Sequence, residues 1–266
     1  MKQKKKLNKV LLIEIIVLIV LIIISAVLWY FLGGKTTEEL ASAPSAAPVE
    51  TSVPTTVPTS ALAPTEEPSA RGTAEVIPED IRQYMTGKSY RVNENITLDD
   101  LSYLTIPHYD FDYNVTEGHL VVNKSIAEEV LDIFERLYEV KYPIERMELI
   151  DRYGADDFES IEYNNTSAFN YRVSTSGSGK LSNHAYGYAI DINPQINPYV
   201  NASGTGAHSN ARAYWSRDIS TWTSDIAKAA YIGPGTDIYD IFVKEFGWEW
   251  GGSWSSYRDY QHFEKY

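Results

Sequence analysis

The chain has 266 residues, and its 36 Asp and Glu outnumber its 23 Lys and Arg, so that its net charge at pH 7 is −13. An acidic chain is a poor partner for nucleic acid, whose phosphates require basic clusters, and we exclude that class of function. The absence of cysteine also excludes disulfides and a thiolate metal site.

The N-terminal segment predicts a membrane anchor. Five lysines lie in residues 1–9, and residues 10–32 are apolar except for Glu14 and Ser25. A span of about 20 apolar residues crosses a bilayer, whereas the core of a signal peptide has only about 7 to 15. We therefore expect a cytoplasmic tail over 1–9, an uncleaved transmembrane helix over 10–32, and an extracellular remainder. A cleaved signal peptide is the alternative.

Residues 35–74 predict a stalk. The segment is rich in Pro, Ser, Thr and Ala, a composition that cannot bury enough apolar surface to offset the entropy of ordering. We expect it to be disordered and to lead into an extracellular domain over 75–266.

Helical periodicity is clearest after Ser125. The spacing of Ser125 and Glu128 is that of a capping box, and apolar residues then recur at helical intervals. These are Ile126, Val130, Ile133, Phe134 and Leu137.

Several shorter elements follow from the same type of pattern. A helix is expected near Asp80–Met85, strands at Ile144–Ile150, Ala168–Val173 and after Gly187, a helix from Thr236 to Gly247, and a hairpin that begins at Trp248. Asp156 and Asp157 read as a solvated helix start. The stretch 199–223, which contains His208, is either a substrate-contacting loop or a plain surface loop, and His108 and His119 are not expected to be catalytic.

A candidate metal site comes from two separated stretches. In the strand after Gly187, the residue Asp191 shares a face with Gly187 and Ala189, which leaves room for a metal and a substrate. His184 on the preceding loop could meet Asp191, and His262 could supply a third ligand. Two imidazoles and one carboxylate with an open fourth position are typical of catalytic zinc.

Asp259 is the candidate general base. It would take a proton from a water molecule in the open position as that water attacks a carbonyl carbon. Residues three apart on a regular strand point to opposite faces. Asp259 must therefore lie before the strand that carries His262, or at a bulge, if the two side chains are to share a pocket.

The motifs resemble a known family. Ser-x-His-x-x-Gly-x-Ala-x-Asp occupies 182–191, Trp-Gly-Gly-x-Trp occupies 250–254, and Asp-x-x-His-Phe occupies 259–263. In this order they look like the zinc D-alanyl-D-alanine carboxypeptidases and dipeptidases of the VanY and VanX kind, with their L-alanyl-D-glutamate endopeptidase relatives. The likeness extends upstream through 164–172 and covers about 96–266, the expected catalytic core.

The resemblance implies an α+β fold, with a small central antiparallel sheet and flanking helices as in hedgehog and D-alanyl-D-alanine peptidase domains. It implies one Zn²⁺ ion on His184, Asp191 and His262, with Asp259 as the base. Arg172 takes the place of a basic residue that faces the substrate. An arginine there could hold a carboxylate or an oxyanion, and a plain salt bridge is the alternative.

We also expect substrate contacts from Ser182 and Trp250. The sequence thus predicts a membrane-anchored extracellular zinc metallopeptidase of peptidoglycan stem peptides, in the first place a D-alanyl-D-alanine carboxypeptidase. Carboxypeptidases of this family usually have Glu at the base position and several endopeptidases have Asp, so an L-alanyl-D-glutamate endopeptidase is one alternative. A wall-binding module that keeps zinc without hydrolysis is another. The sequence leaves the oligomeric state open.

Overall fold

A computed structural model describes residues 70–174 and 179–265. The expected cytoplasmic tail and anchor, and the stalk up to residue 69, lie outside these ranges. Every helix within the described ranges is too short or too polar to cross a bilayer.

The described residues form many short elements. The strands are β1 (Thr73–Val76), β2 (Leu101–Tyr109), β3 (Val115–Asn123), β4 (Arg146–Met147), β5 (Asn165–Thr166), β6 (Ala189–Asp191), β7 (Tyr199–Val200), β8 (Glu249–Trp250), β9 (Arg258–Asp259) and β10 (His262–Glu264). The α-helices are α1 (Glu79–Met85), α2 (Ala127–Glu139), α3 (Asp157–Glu162), α4 (Asp225–Ala229) and α5 (Asp237–Tyr239), and α5 continues as a π-helical segment, Asp240–Glu245.

Two three-stranded antiparallel sheets replace the single central sheet that the sequence predicts. The first has the order β1-β2-β3, and the second has the order β6-β10-β8. Two smaller pairs accompany them, β4 with β5 in parallel and β7 with β9 antiparallel. The α+β class with small antiparallel sheets is confirmed, and the sheet is divided because the strands after β3 are only two or three residues long.

Helix α2 packs its apolar face on the first sheet. The predicted stripe is buried, from Ile126 at 8% exposed to Val130 at 0%, and it shares one core with strands β2 and β3. The capping box is wrong. The helix starts at Ala127 with no side-chain cap, because the Ser125 hydroxyl donates instead to Asn123 Oδ1 at 2.8 Å.

The domain begins slightly earlier than predicted. Strand β1 starts at Thr73, inside the expected stalk, and Arg71 forms ion pairs with Glu128, Asp132 and Glu135 on α2. Helix α1 is confirmed. It supplies the buried Met85 to a second core cluster, so residues before 96 also belong to the packed domain.

Two predicted strands are largely irregular. Ile144–Ile150 contains only the two residues of β4, and Ala168–Val173 contains no strand. The reason lies in the backbone partners. The amides of Phe169, Asn170 and Tyr171 donate to Val121, His184 and Ser89 in turn, so no single neighbouring strand runs beside them.

The second sheet positions the candidate site. The predicted hairpin is confirmed, since β10 pairs with β8 on one side and with β6 on the other. Phe263 in β10 is fully buried and stacks on Phe242, with 4.1 Å between ring centroids. Because side chains alternate along a strand, burial of Phe263 turns its neighbours His262 and Glu264 to the opposite face.

Gly187 fixes the entry into β6. Its φ is +73°, and a Cβ atom at this position would lie 2.5 Å from the backbone nitrogen of Asn123. We expect Gly187→Ala to lower the free energy of unfolding by more than the roughly 1–2 kcal/mol cost of a left-handed alanine. The added Cβ atom would also force a movement of strand β3, which ends at Asn123.

Gly247 is the matched control. Its φ is +70°, but nothing lies within 4 Å of its Cβ position. Urea unfolding of both alanine variants measures the difference, and equal losses would show that the contact with Asn123 does not constrain Gly187.

Candidate metal centre

The three predicted ligands converge. His184 lies on the 3-10 turn Asn183–Tyr186, while Asp191 ends β6 and His262 begins β10 directly opposite Asp191. Asp191 Oδ1 is 3.3 Å from His184 Nε2 and 2.9 Å from His262 Nδ1, and these two nitrogens are 3.2 Å apart. One donor atom from each residue thus lies within 4.8 Å of the others, which could hold a single metal ion.

The far nitrogen of each imidazole has its own acceptor. His184 Nδ1 lies 2.6 Å from the Ala168 carbonyl oxygen, and His262 Nε2 lies 3.0 Å from Glu264 Oε2. Protons on these outer nitrogens would leave the lone pairs of both inner nitrogens facing the Asp191 carboxylate. Three acceptors that face one another need a cation between them, and outer hydrogen bonds of this type are usual for metal-bound histidines.

The electrostatics of the site also favour a cation. Burial would raise the pKa of Asp191, but the imidazoles of His184 and His262 hold that pKa well below its usual range. Burial would lower the pKa of His262, yet Asp191 and Glu264 raise it to about 10. The surplus of negative charge in this buried pocket therefore favours a positive charge at its centre, which a proton or a metal ion can supply.

Asp259 lies beside this centre. It ends β9, and the turn residues Tyr260 and Gln261 separate it from His262, so the geometric condition for a shared pocket is met. Its Oδ1 is buried and has no hydrogen-bond partner among the described residues. Burial and the charge of Asp191 raise the pKa of Asp259 to about 7, although His262 and Arg172 act in the opposite direction.

Gly251 allows the turn between Asp259 and His262 to pack closely against residue 251. A Cβ atom there would lie 2.7 Å from the Asp259 carbonyl oxygen and 3.2 Å from His262 Cβ. Trp250 is 5% exposed and donates its indole N–H to the Tyr260 carbonyl at 2.9 Å, which fixes the same turn. The prediction that Trp250 contacts substrate is not supported, because its side chain is buried in the core.

A cavity of about 350 Å³ opens over the centre. It is lined by Asp157, Phe158, Ile161, Arg172, Ser174, Ser182, His184, Asp191, Pro194, Pro198, Tyr199, Ala207, His208, Trp254, Tyr257, Asp259, Gln261, His262 and Glu264. Ser182 reaches the cavity, but its hydroxyl also accepts from the His184 amide at 3.4 Å. Arg172 reaches it as well, in an ion pair with Asp157.

Several cavity residues escaped the sequence analysis. His208, in the stretch 199–223, stacks on Phe158 with 3.9 Å between ring centroids, and its Nδ1 lies 3.0 Å from Glu162 Oε1. Part of this stretch thus forms a cavity wall. Glu264 was detectable, because residues i and i+2 of a strand share a face and Glu264 is two after His262. No sequence pattern links His208 to Phe158.

The side chains of the site indicate a class of protein. Two imidazoles and a carboxylate beside a further acid are residue types that mononuclear metallohydrolases use. Residues 176–265 match a family model described as D-alanyl-D-alanine carboxypeptidase. The match covers less than half of the chain but contains His184, Asp191, His262 and Asp259, and it supports a peptidase of that family. No curated protein and no solved structure matches the chain.

Glu264 provides a test of the centre. Its carboxylate accepts from His262 and from Asn183 Nδ2 at 2.7 Å. We expect Glu264→Ala to weaken zinc binding about 10- to 100-fold, the usual effect of removing such an outer partner, because the His262 ring loses its orientation. Competition with a chelating dye measures the affinity.

Glu264→Gln should recover part of that affinity, since its amide oxygen can still accept from His262. Glu75→Gln, at an exposed position of β1, should leave zinc binding unchanged. Wild-type affinity in Glu264→Ala would show that Glu264 does not orient the ligand.

Proposed function

We propose that this chain is a zinc metallopeptidase that hydrolyses peptidoglycan stem peptides, in the first place as a D-alanyl-D-alanine carboxypeptidase. One observation carries the proposal: the three acceptors of His184, Asp191 and His262 converge beside Asp259, whose Oδ1 is buried and has no hydrogen-bond partner among the described residues. All four residues lie in the segment that matches the carboxypeptidase family model.

The donor set fits one Zn²⁺ ion. His184 Nε2, His262 Nδ1 and an Asp191 oxygen would hold it, and three mixed nitrogen and oxygen ligands are typical of catalytic rather than structural zinc. Zinc, when bound, supplies a Lewis acid that polarises the scissile carbonyl and makes water acidic enough to attack it.

Asp259 performs the proton transfers in this scheme. Its carboxylate accepts a proton from the attacking water and passes it to the nitrogen of the leaving amine, as a general base and then a general acid. A pKa near neutrality suits both steps, since such a group gains and loses a proton with little cost at pH 7. Arg172, at the cavity wall, donates to an oxygen of the bound peptide.

The residue at position 259 distinguishes between the candidate functions. An aspartate there, where carboxypeptidases of the family usually have glutamate, keeps the L-alanyl-D-glutamate endopeptidase as the second candidate. A wall-binding module that keeps zinc without hydrolysis has no use for a buried carboxylate oxygen that lacks a partner among the described residues, since such an atom destabilises the fold. Asp259 Oδ1 therefore favours an enzyme.

Asp259→Ala should retain zinc and lose most turnover, because it removes the proton carrier and no ligand, whereas His184→Ala should lose the metal itself. Wild-type kcat/KM should fall as the pH drops through about 7, or through a lower value because a bound cation lowers the pKa of a nearby acid. Asp259→Ala should lack this acidic limb. Zinc content and the masses of products from muropeptides measure these effects and identify the bond that is cut.

Asp225→Ala is the control, since that side chain is 97% exposed on α4, and it should behave as wild type. Cleavage by Asp259→Ala at the wild-type rate would contradict the mechanism. Zinc binding without cleavage by the wild-type protein would favour the binding module.

We also propose that residues 10–32 anchor the enzyme in the cell membrane, with the catalytic domain outside, and that the stalk over 35–74 lets it reach the wall. The apolar run and the preceding lysines support this orientation. Deletion of 10–32 should move the protein from the membrane fraction to the soluble fraction, and deletions within the stalk should reduce wall cleavage in cells while anchoring persists. Full cleavage by a stalkless, anchored protein would contradict the role of the stalk.

A further inference from the structure

At the cavity wall, Arg172 is paired with an acidic residue. Asp157, the first residue of α3, pairs with its Nε, and the two side chains are 25% and 28% exposed. Arg172 Nη1 lies 3.4 Å from the carbonyl oxygen of its neighbour Val173. Within the part of the chain that the structure describes, these contacts involve Nε and Nη1, and none involves Nη2.

Asp157 is itself held in place. Its Oδ1 accepts from Asn170 Nδ2 at 3.1 Å, and the same amide donates to the Ala155 carbonyl at 3.2 Å. Asn170 is 4% exposed, and its backbone N–H donates to the His184 carbonyl at 3.1 Å. The position of the pair is therefore tied to the backbone of a metal ligand.

The pair has no net charge. Among the described residues that line the cavity, Arg172 is the only lysine or arginine, and Asp157 compensates its charge. The two opposite charges also act on Asp259, because Arg172 lowers the pKa of that carboxyl and Asp157 raises it. A ligand therefore meets a guanidinium whose charge is compensated rather than an uncompensated cation.

We propose that Asp157 is a specificity-determining residue, which orients Arg172 and cancels its charge so that the arginine donates to a neutral carbonyl or carboxamide oxygen of the bound peptide in preference to a free carboxylate. A substrate carboxylate bound to Arg172 would share one guanidinium with the carboxylate of Asp157, and two like charges held that close together repel each other. A carbonyl oxygen accepts the hydrogen bond without that cost. This inference rests on the proposed function, because the peptide bound there is taken to be a stem peptide.

Three versions of one pentapeptide test the inference: L-Ala-γ-D-Glu-L-Lys-D-Ala-D-Ala as the free acid, the same peptide with a C-terminal amide, and the same peptide with D-isoglutamine for D-glutamate. The C-terminal amide removes the carboxylate beside the D-alanyl-D-alanine bond, and D-isoglutamine removes the carboxylate beside the L-alanyl-D-glutamate bond. The three peptides therefore cover both candidate scissile bonds. Dissociation constants on zinc-free protein, from calorimetry, and kcat/KM on zinc-loaded protein give the ratio of acid to amide for each pair.

In the wild type, neither pair should favour the acid. Asp157→Asn keeps an oxygen that can accept from Asn170 but removes the negative charge. It should change the acid-to-amide ratio of one pair about tenfold in favour of the acid, which corresponds to a single charge-assisted hydrogen bond. A wild type that favours the acid by that factor, or an Asp157→Asn variant in which neither ratio changes, would overturn the proposal.

Asp156→Asn is the matched control, since Asp156 caps α3 through the amides of Phe158 and Glu159 and does not line the cavity. Its ratios should equal those of the wild type. Asp157→Ala should lower kcat/KM for all three peptides, because Arg172 loses its support, and urea unfolding separates this loss from misfolding.

The binding and kinetic readouts separate the two proposals. A shifted binding ratio without cleavage would support the role of Asp157 and contradict the peptidase. Cleavage with an unchanged ratio would support the peptidase and contradict the role of Asp157. Failure of all three peptides to bind would overturn both.

Discussion

The pairing of β6 with β10 is the constraint on which the candidate site depends. It sets Asp191 directly opposite His262, and the buried Phe263 locks the register from the other face of the strand. A slip of one residue would turn His262 into the core and Phe263 into the cavity. The stacking of Phe263 on Phe242 therefore supports the metal centre as much as it supports the core.

The same centre concentrates charge that the fold does not neutralise by itself. Asp191, Asp259 and Glu264 line one cavity with Arg172, whose charge Asp157 compensates. Carboxylates crowded into a cavity are costly, and the pKa of Asp259, which burial and the charge of Asp191 raise, expresses that cost. A divalent cation would relieve it, so metal binding and stability of the domain should be coupled. The arrangement gives up stability at the place where chemistry needs poised acids and bases.

The cavity is built from two kinds of segment. The centre comes from the part of the chain that matches the carboxypeptidase family model, while Asp157, Phe158 and Arg172 lie outside that match. His208 comes from within it and stacks on Phe158. The cavity therefore combines residues inside the matched segment with residues before it.

The sequence by itself determined the candidate ligands and the candidate base. Histidine and aspartate are the residue types that zinc requires, and the alternation around Ile190 indicated which face of β6 Asp191 occupies. It also determined the buried stripe of α2, because a period of 3.6 residues is a local property of the chain. Only the tertiary structure decided that the first turn of α2 has no side-chain cap, that Trp250 is buried while Trp254 faces the cavity, that Arg172 is paired with Asp157, and that His208 reaches Phe158. These features depend on contacts between residues far apart in the chain, and local sequence patterns carry no information about which distant segment will supply the partner.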